Sequence, residues 1–204
     1  MLEQTFTTAL LYYTSDPALI TRYWKEITTA YLAKDRHYHN LTHLENLLVH
    51  LEAHKERCSD WHATIFAIAY HDIIYNTLRQ DNEEKSAQLA QERLSAIGVP
   101  DIRIRLVYDM IIATQKHTVS ENEDINLFID ADLSILGAPW EVYETYTKQI
   151  RKEYAIYPDL VYRPGRKKVL KHFSGMERIY KTAVFFEKYE QQAKNNIQKE
   201  LNLL

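Results

Sequence analysis

The chain has 204 residues, long enough for one domain with a sizeable core, and its 46% hydrophobic and 26% charged residues are typical of a globular protein. With only 4 glycines and 5 prolines a turn-rich β-sandwich or barrel is excluded, and a net charge of -3 offers no basic surface for nucleic acid. A lone cysteine excludes an internal disulfide, and since neither a signal-peptide pattern nor a run of eighteen apolar residues occurs, we expect a cytoplasmic protein without a membrane segment.

Helical spacing of apolar residues, together with capping residues, predicts an all-α protein of eight to ten helices, and no strand-like alternation or repeat competes with it. Asp16, Asp60 and Asp81 are predicted N-caps, Asp81 forming a capping box with Glu84. The predicted helical segments, in chain order, are residues 2–13, 17–34, 44–51, 61–75, 82–97, 101–116, 125–136, 139–154 and 166–173, a polar C-terminal helix following and a loop covering 158–165.

The pair His71-Asp72 interrupts an apolar run that extends from Ala67 to Tyr75. Burying an ionised carboxylate without a partner costs several kcal/mol or more, so the pair requires a compensating charge. Imidazole and carboxylate are both good ligands for a divalent cation. The pair therefore favours a metal site, although a hydrogen-bonded His-Asp pair inside a helical core would explain it equally well.

Three other groups of polar residues accompany this pair. His39 and His43 share one face if their segment is helical. Asp130 and Asp132 lie inside an apolar helix, and His117 lies at the end of the preceding one, close to Thr114. Two imidazoles and two carboxylates from separate helices could form one mixed nitrogen and oxygen site, with positions left for water and substrate.

The order of these residues and their neighbours resembles the sequence pattern of the HD-domain metal-dependent phosphohydrolases, in particular that of an uncharacterised branch of the family. The resemblance covers about residues 36–180. It is carried by Arg36-x-Tyr38-His39-x-x-x-His43, Tyr70-His71-Asp72-x-x-Tyr75, Asn82-Glu83-x-x-Ser86-Ala87, Asp130-x-Asp132-Leu133-x-x-Leu136-Gly137 and Tyr162-Arg163-x-Gly165-Arg166-x-x-Val169-Leu170. It implies a single HD-type helical domain over 1–204, with a metal-site core at about 36–140 and C-terminal helices at about 141–204 packing on it.

The resemblance also implies a set of ligands and an activity. His43, His71, Asp72 and Asp132 would hold one divalent ion, which could be Mn, Fe, Co, Ni, Zn or Mg. Asp132 is favoured over Asp130, which would be its hydrogen-bonding or capping neighbour. A metal-activated water would then cleave a phosphate ester of a nucleotide or a small phosphorylated metabolite. Because only His117 is available as an additional histidine between the pair and Asp132, a second fully liganded metal is not expected.

Further roles follow for polar residues around this set. Asp72, Glu83 and His117 are the predicted catalytic residues, but the negative charge of Glu83 could instead simply stabilise the N-terminus of its helix. Predicted contacts to the phosphate or to the rest of the substrate come from Arg36, His39, Lys116, Arg163 and Arg166. A solvated loop position is the alternative for His39, and a solvated basic segment would explain Arg163 and Arg166 equally well.

Three other functions compete with this interpretation. A zinc protease would need a glutamate between its two histidines, and Asn40 stands in the matching segment between His39 and His43. A non-catalytic HD-type module that senses a nucleotide would bind ligand without turnover, although such a module has no need of all four ligand types. A purely structural helical protein would bind no metal.

Overall fold

Every regular element in the computed structural model, which describes residues 1–204, is helical. The predicted all-α class and the predicted number of helices are confirmed. The ten α-helices are α1 Leu2–Leu11, α2 Pro17–Tyr31, α3 Leu41–Glu52, α4 Trp61–Tyr70, α5 Asn82–Ala96, α6 Asp101–Ala113, α7 Glu123–Asp132, α8 Trp140–Glu153, α9 Asp159–Ser174 and α10 Ala183–Leu203. Two short 3₁₀ helices cover Lys55–Arg57 and Leu133–Gly137. None of the helices combines the length and the apolar character needed to cross a membrane.

Residues 1–129 form one compact unit, and helix α4 lies at its centre. Every residue of α4 from Ala63 to Tyr70 is buried, as expected for a helix that is apolar on all sides. It packs against α1, α3, α5 and α6. A residue at the end of α4 is therefore held by a buried helix that packs against four others.

Residues 130–204 form a second compact unit, in which α10 packs along the 3₁₀ helix Leu133–Gly137 and against α9. Gly137 allows this close approach, because a Cβ atom added there would lie 2.6 Å from the Cβ atom of Tyr189. The prediction that the whole chain is a single domain stays a prediction.

From the apolar run we predicted that the pair His71-Asp72 lies in the middle of a helix, and this prediction is wrong. Helix α4 ends at Tyr70, His71 is its C-cap residue, and Asp72 follows outside the helix. The helix stops here because side chains from elsewhere in the unit pair with the backbone of the next residues. The Asp72 N–H, for example, donates to the Tyr31 hydroxyl at 3.1 Å.

The predicted loop over residues 158–165 is also wrong, because α9 begins at Asp159 and contains Pro164. A proline at this point removes one backbone hydrogen bond, to the carbonyl of Leu160. Leu160 is 89% exposed, so water can reach that region and the loss is small.

Two further local predictions need correction. The side chain of Asp81 accepts no capping hydrogen bond, because it pairs instead with Arg79 and Lys85. The segment predicted as one helix to Leu136 is divided, since α7 ends at Asp132 and a 3₁₀ helix follows it.

Candidate metal centre

His43 is presented by the first turn of α3. Helix α3 begins at Leu41, and the side chain of its N-cap residue, Asn40, accepts hydrogen bonds from the N–H groups of Thr42 and His43. The asparagine that takes the place of a protease glutamate is therefore a capping residue. Because the helix starts after His39, the two histidines do not share a helical face.

The imidazole of His71 lies next to that of His43, and a backbone carbonyl fixes its orientation. The two Nε2 atoms are 3.1 Å apart, and both rings are buried, His71 to a residual exposure of 1%. The Nδ1 atom of His71 is 3.1 Å from the carbonyl oxygen of Ile68. Since a carbonyl can only accept, Nδ1 carries the proton, and in the neutral imidazole the lone pair is therefore on Nε2. That tautomer is the one a metal ligand requires.

Asp132, the last residue of α7, completes a group of three. His43, His71 and Asp132 each offer one ligand atom, and these atoms all lie within 4.8 Å of one another. Two nitrogen ligands about 2.1 Å from one divalent ion and roughly at right angles would lie about 3.0 Å apart, close to the 3.1 Å between the two imidazoles. The donor set therefore fits a divalent metal ion, and this buried group could hold one.

Asp72, the fourth predicted ligand, adjoins this group through His71. Its Oδ2 atom lies 3.3 Å from His71 Nε2 and 3.9 Å from His39 Nε2. The unprotonated nitrogen of His71 thus faces a carboxylate oxygen on one side and another imidazole nitrogen on the other. Such a concentration of electron-rich atoms in a buried site favours a positive charge among them.

Arg36 contacts the backbone on which Asp72 lies. Its Nη1 atom donates to the carbonyl of Asp72 at 2.6 Å and to that of His39 at 3.3 Å, and its Nη2 atom donates to the carbonyl of Ile73 at 2.9 Å. The ring of Tyr75 lies 5.3 Å from the guanidinium carbon, in the range of a cation–π contact. The predicted contact from Arg36 to substrate stays a prediction.

His117 lies just beyond the end of α6, three residues after the C-cap residue Thr114. His117 is buried and has a φ of 51°, a left-handed conformation that is uncommon for a residue other than glycine. Thr114, also buried, donates from its hydroxyl to the carbonyl of Ile111 at 2.7 Å. Lys116 is exposed, and Glu83 is half-buried in the first turn of α5.

Arg166, another predicted substrate contact, is buried against a carboxylate. Its Nε and Nη2 atoms donate to the two oxygens of Glu200 at 2.7 and 3.0 Å, and Tyr146 lies under the guanidinium at 5.2 Å. Arg163, by contrast, is exposed and lies 3.9 Å from Asp159. Their predicted role in substrate binding stays a prediction.

Asp130 does not belong to the group of ligand atoms, and the structure gives it a capping role. Its buried carboxylate accepts from the N–H groups of Lys181 and Thr182 and from the Thr182 hydroxyl, each at 2.7 Å. Thr182 is the N-cap of α10, so Asp130 caps this helix from outside. Burial raises the pKa of Asp130, although these hydrogen bonds favour the charged form.

Asp124, which we did not single out from the sequence, has the same arrangement at the start of α4. Its carboxylate accepts from the N–H groups of Ser59 and Asp60 and from the Ser59 hydroxyl, at 2.7 to 2.9 Å. The signal available in the sequence was the serine or threonine beside each of these helix starts, but nothing local points to the distant aspartate.

No family model matches the chain, and no curated protein or solved structure matches it either. The functional interpretation therefore depends on the geometry of the group formed by His43, His71 and Asp132.

Proposed function

We propose that the protein is an HD-type, metal-dependent phosphohydrolase that cleaves the phosphate ester of a nucleotide or a small phosphorylated metabolite. The observation that carries the proposal is the orientation of His71. Its Nδ1–H group points to the carbonyl of Ile68, so the lone pair of Nε2 faces His43 and Asp72. That arrangement is suited to a cation.

His43, His71 and Asp132 would hold the ion, and Asp72 would be its fourth ligand. When bound, a divalent ion lowers the pKa of a coordinated water and withdraws charge from a phosphoryl oxygen. Asp72, whose carboxylate is partly exposed, would accept a proton from the attacking water. His39, whose Nε2 atom lies 3.9 Å from Asp72 Oδ2, would donate a hydrogen bond to a substrate oxygen.

Lys116 and Glu83 supply the remaining roles in the proposal. Lys116 is exposed and would contribute positive charge to the phosphate, and Glu83 would accept or donate a proton. The net charge of -3 agrees with a small phosphate ester rather than nucleic acid as substrate.

The test is a hydrolysis screen over phosphate esters, in which Mn²⁺, Fe²⁺, Co²⁺, Ni²⁺, Zn²⁺ and Mg²⁺ are each added back to chelator-stripped protein. We expect turnover with at least one ion, and we expect Asp72→Ala to abolish turnover and metal retention with helical content unchanged. Asp109→Ala is the matched control, since Asp109 pairs only with Arg105 on the exposed side of α6. Full activity of Asp72→Ala would contradict the proposal, and tight nucleotide binding without turnover would instead indicate a sensor.

A further inference from the structure

The residues that follow His71 have no regular structure, yet side chains hold their backbone at several points. The N–H of Asp72 donates to the Tyr31 hydroxyl, and the N–H of Ile74 donates to Ser86 Oγ, both at 3.1 Å. Backbone groups outside helices must find such partners when they are buried. The position of Asp72 is therefore set by contacts from α2 and α5 and not by α4 alone.

Arg36 supplies the corresponding contacts on the carbonyl side. Two nitrogens of one guanidinium donate to two consecutive carbonyls, those of Asp72 at 2.6 Å and Ile73 at 2.9 Å. The guanidinium carbon lies 4.7 Å from the ring centre of Tyr31 and 5.3 Å from that of Tyr75, and Arg36 is only 9% exposed. Carbonyl dipoles and the faces of two aromatic rings thus compensate its buried charge.

We propose that Arg36 is a positioning residue that fixes the backbone of Asp72 and so holds its carboxylate beside His71 Nε2. The inference rests on the proposed function, since it concerns the site at which the ion would bind. A planar guanidinium can reach two carbonyls with a fixed angle between its donors, whereas the single ammonium of lysine cannot reproduce this geometry. A contact from Arg36 to a phosphate would require it to give up these backbone hydrogen bonds.

The experiment compares Arg36→Lys with the native chain, using calorimetric titration of Mn²⁺ into chelator-stripped protein. Replacing residues that orient metal ligands typically weakens affinity by about 10- to 100-fold, and we expect a loss in that range. The visible absorption spectrum of the Co²⁺-loaded variant should also change, because the ligand geometry changes. Arg93→Lys is the matched control: Arg93 also forms a two-point contact, to Glu26, but its guanidinium does not contact the backbone of Asp72 or Ile73. Mn²⁺ affinity of Arg36→Lys within twofold of native would overturn the inference.

A second measurement does not depend on the metal. Hydrogen exchange of the peptide covering residues 71–76 should be at least about tenfold faster in Arg36→Lys and unchanged in Arg93→Lys, because only the first loses contacts to this backbone. If Arg36→Lys does not fold, Arg36→Gln, which offers one donor nitrogen in place of the two that contact these carbonyls, is measured in its place.

These readouts separate the two proposals. A native chain that binds no divalent ion would overturn the proposed function, and the exchange experiment would still decide whether Arg36 holds Asp72. Unchanged exchange in a folded variant would overturn the role of Arg36 even if the native chain binds Mn²⁺ and hydrolyses a phosphate ester.

Discussion

Replacing Asp130 by alanine should strongly destabilise the protein, although Asp130 is not part of the ligand group. Its side chain has no exposed surface, and it accepts three hydrogen bonds of 2.7 Å from Lys181 and Thr182. Thr182 is itself buried. The substitution therefore leaves backbone N–H groups at the start of α10 without an acceptor.

The magnitude follows from counting these donors. An unsatisfied buried donor costs about 1–3 kcal/mol, so the two backbone N–H groups together would cost about 2–6 kcal/mol. The Thr182 hydroxyl can rotate toward another acceptor and adds little. Part of the cost is offset because the variant no longer buries a carboxylate, whose raised pKa shows that burial disfavours its charged form. We therefore expect a net loss of about 2–4 kcal/mol, a large share of the stability of about 5–15 kcal/mol that is usual for a native protein.

Urea unfolding followed by circular dichroism measures this loss. With a slope of about 2 kcal/mol per molar urea, in the middle of the usual range, the midpoint should fall by about 1–2 M. Asp109→Ala is the control, because its partly exposed ion pair with Arg105 at i and i+4 should contribute less than about 0.5 kcal/mol. Asp130→Asn keeps one acceptor oxygen and should lie between the native chain and Asp130→Ala. A loss below 1 kcal/mol in Asp130→Ala would refute the reasoning.

Three further outcomes are expected. In a thermal unfolding assay, Mn²⁺ at 100 times its dissociation constant should raise the free energy of unfolding of the native chain by about 2.7 kcal/mol. Asp132→Asn should lose most of this stabilisation, and an unchanged stabilisation would show that Asp132 is not a ligand. Burial, with the nearby carboxylate of Asp124, raises the pKa of the Cys58 thiol to about 11. The rate at which iodoacetamide alkylates Cys58 should therefore increase with each pH unit from 8 to 11, and a plateau near pH 9 would contradict the burial argument. Arg166→Met should cost about 3–5 kcal/mol in urea unfolding because it leaves the buried carboxylate of Glu200 without a cationic partner. Adding Glu200→Leu should recover part of this cost, since the Tyr143 hydroxyl then loses its acceptor; a double variant as unstable as the single one would refute this.

The helices themselves were predictable because their signals are local. The Asp16-Pro17 cap is observed, since the Asp16 carboxylate accepts from the N–H groups of Ala18 and Leu19. Gly98 has a φ of +75° at the end of α5, where only glycine enters the left-handed region without strain. Caps and apolar spacing act within a few residues of each other, so the sequence carries them directly.

The end of α4 was not predictable, because it depends on side chains that are distant in sequence. The apolar run continues past His71, and nothing within it marks Tyr70 as the last helical residue. Tyr31 and Arg36, more than thirty residues earlier, supply the hydrogen bonds that replace helical ones. The ligand residues were recognisable from the order of their types, whereas the residues that hold them in place were not.

The choice between Asp130 and Asp132 has a physical basis in the helix that carries both. Successive residues of an α-helix are rotated by about 100° about its axis, so side chains two positions apart point to nearly opposite sides and cannot reach the same ion. Three hydrogen bonds hold Asp130 against the start of α10, and they fix how the last turn of α7 is rotated about its helix axis. Asp132 must then face the other way, and it is the carboxylate found with the two imidazoles. The capping aspartate, Asp130, thus orients the ligand Asp132. Asp130→Ala should therefore weaken Mn²⁺ binding and lower the stability of the fold, whereas Asp109→Ala should change neither. A folded Asp130→Ala with native Mn²⁺ affinity would show that Asp130 does not orient Asp132.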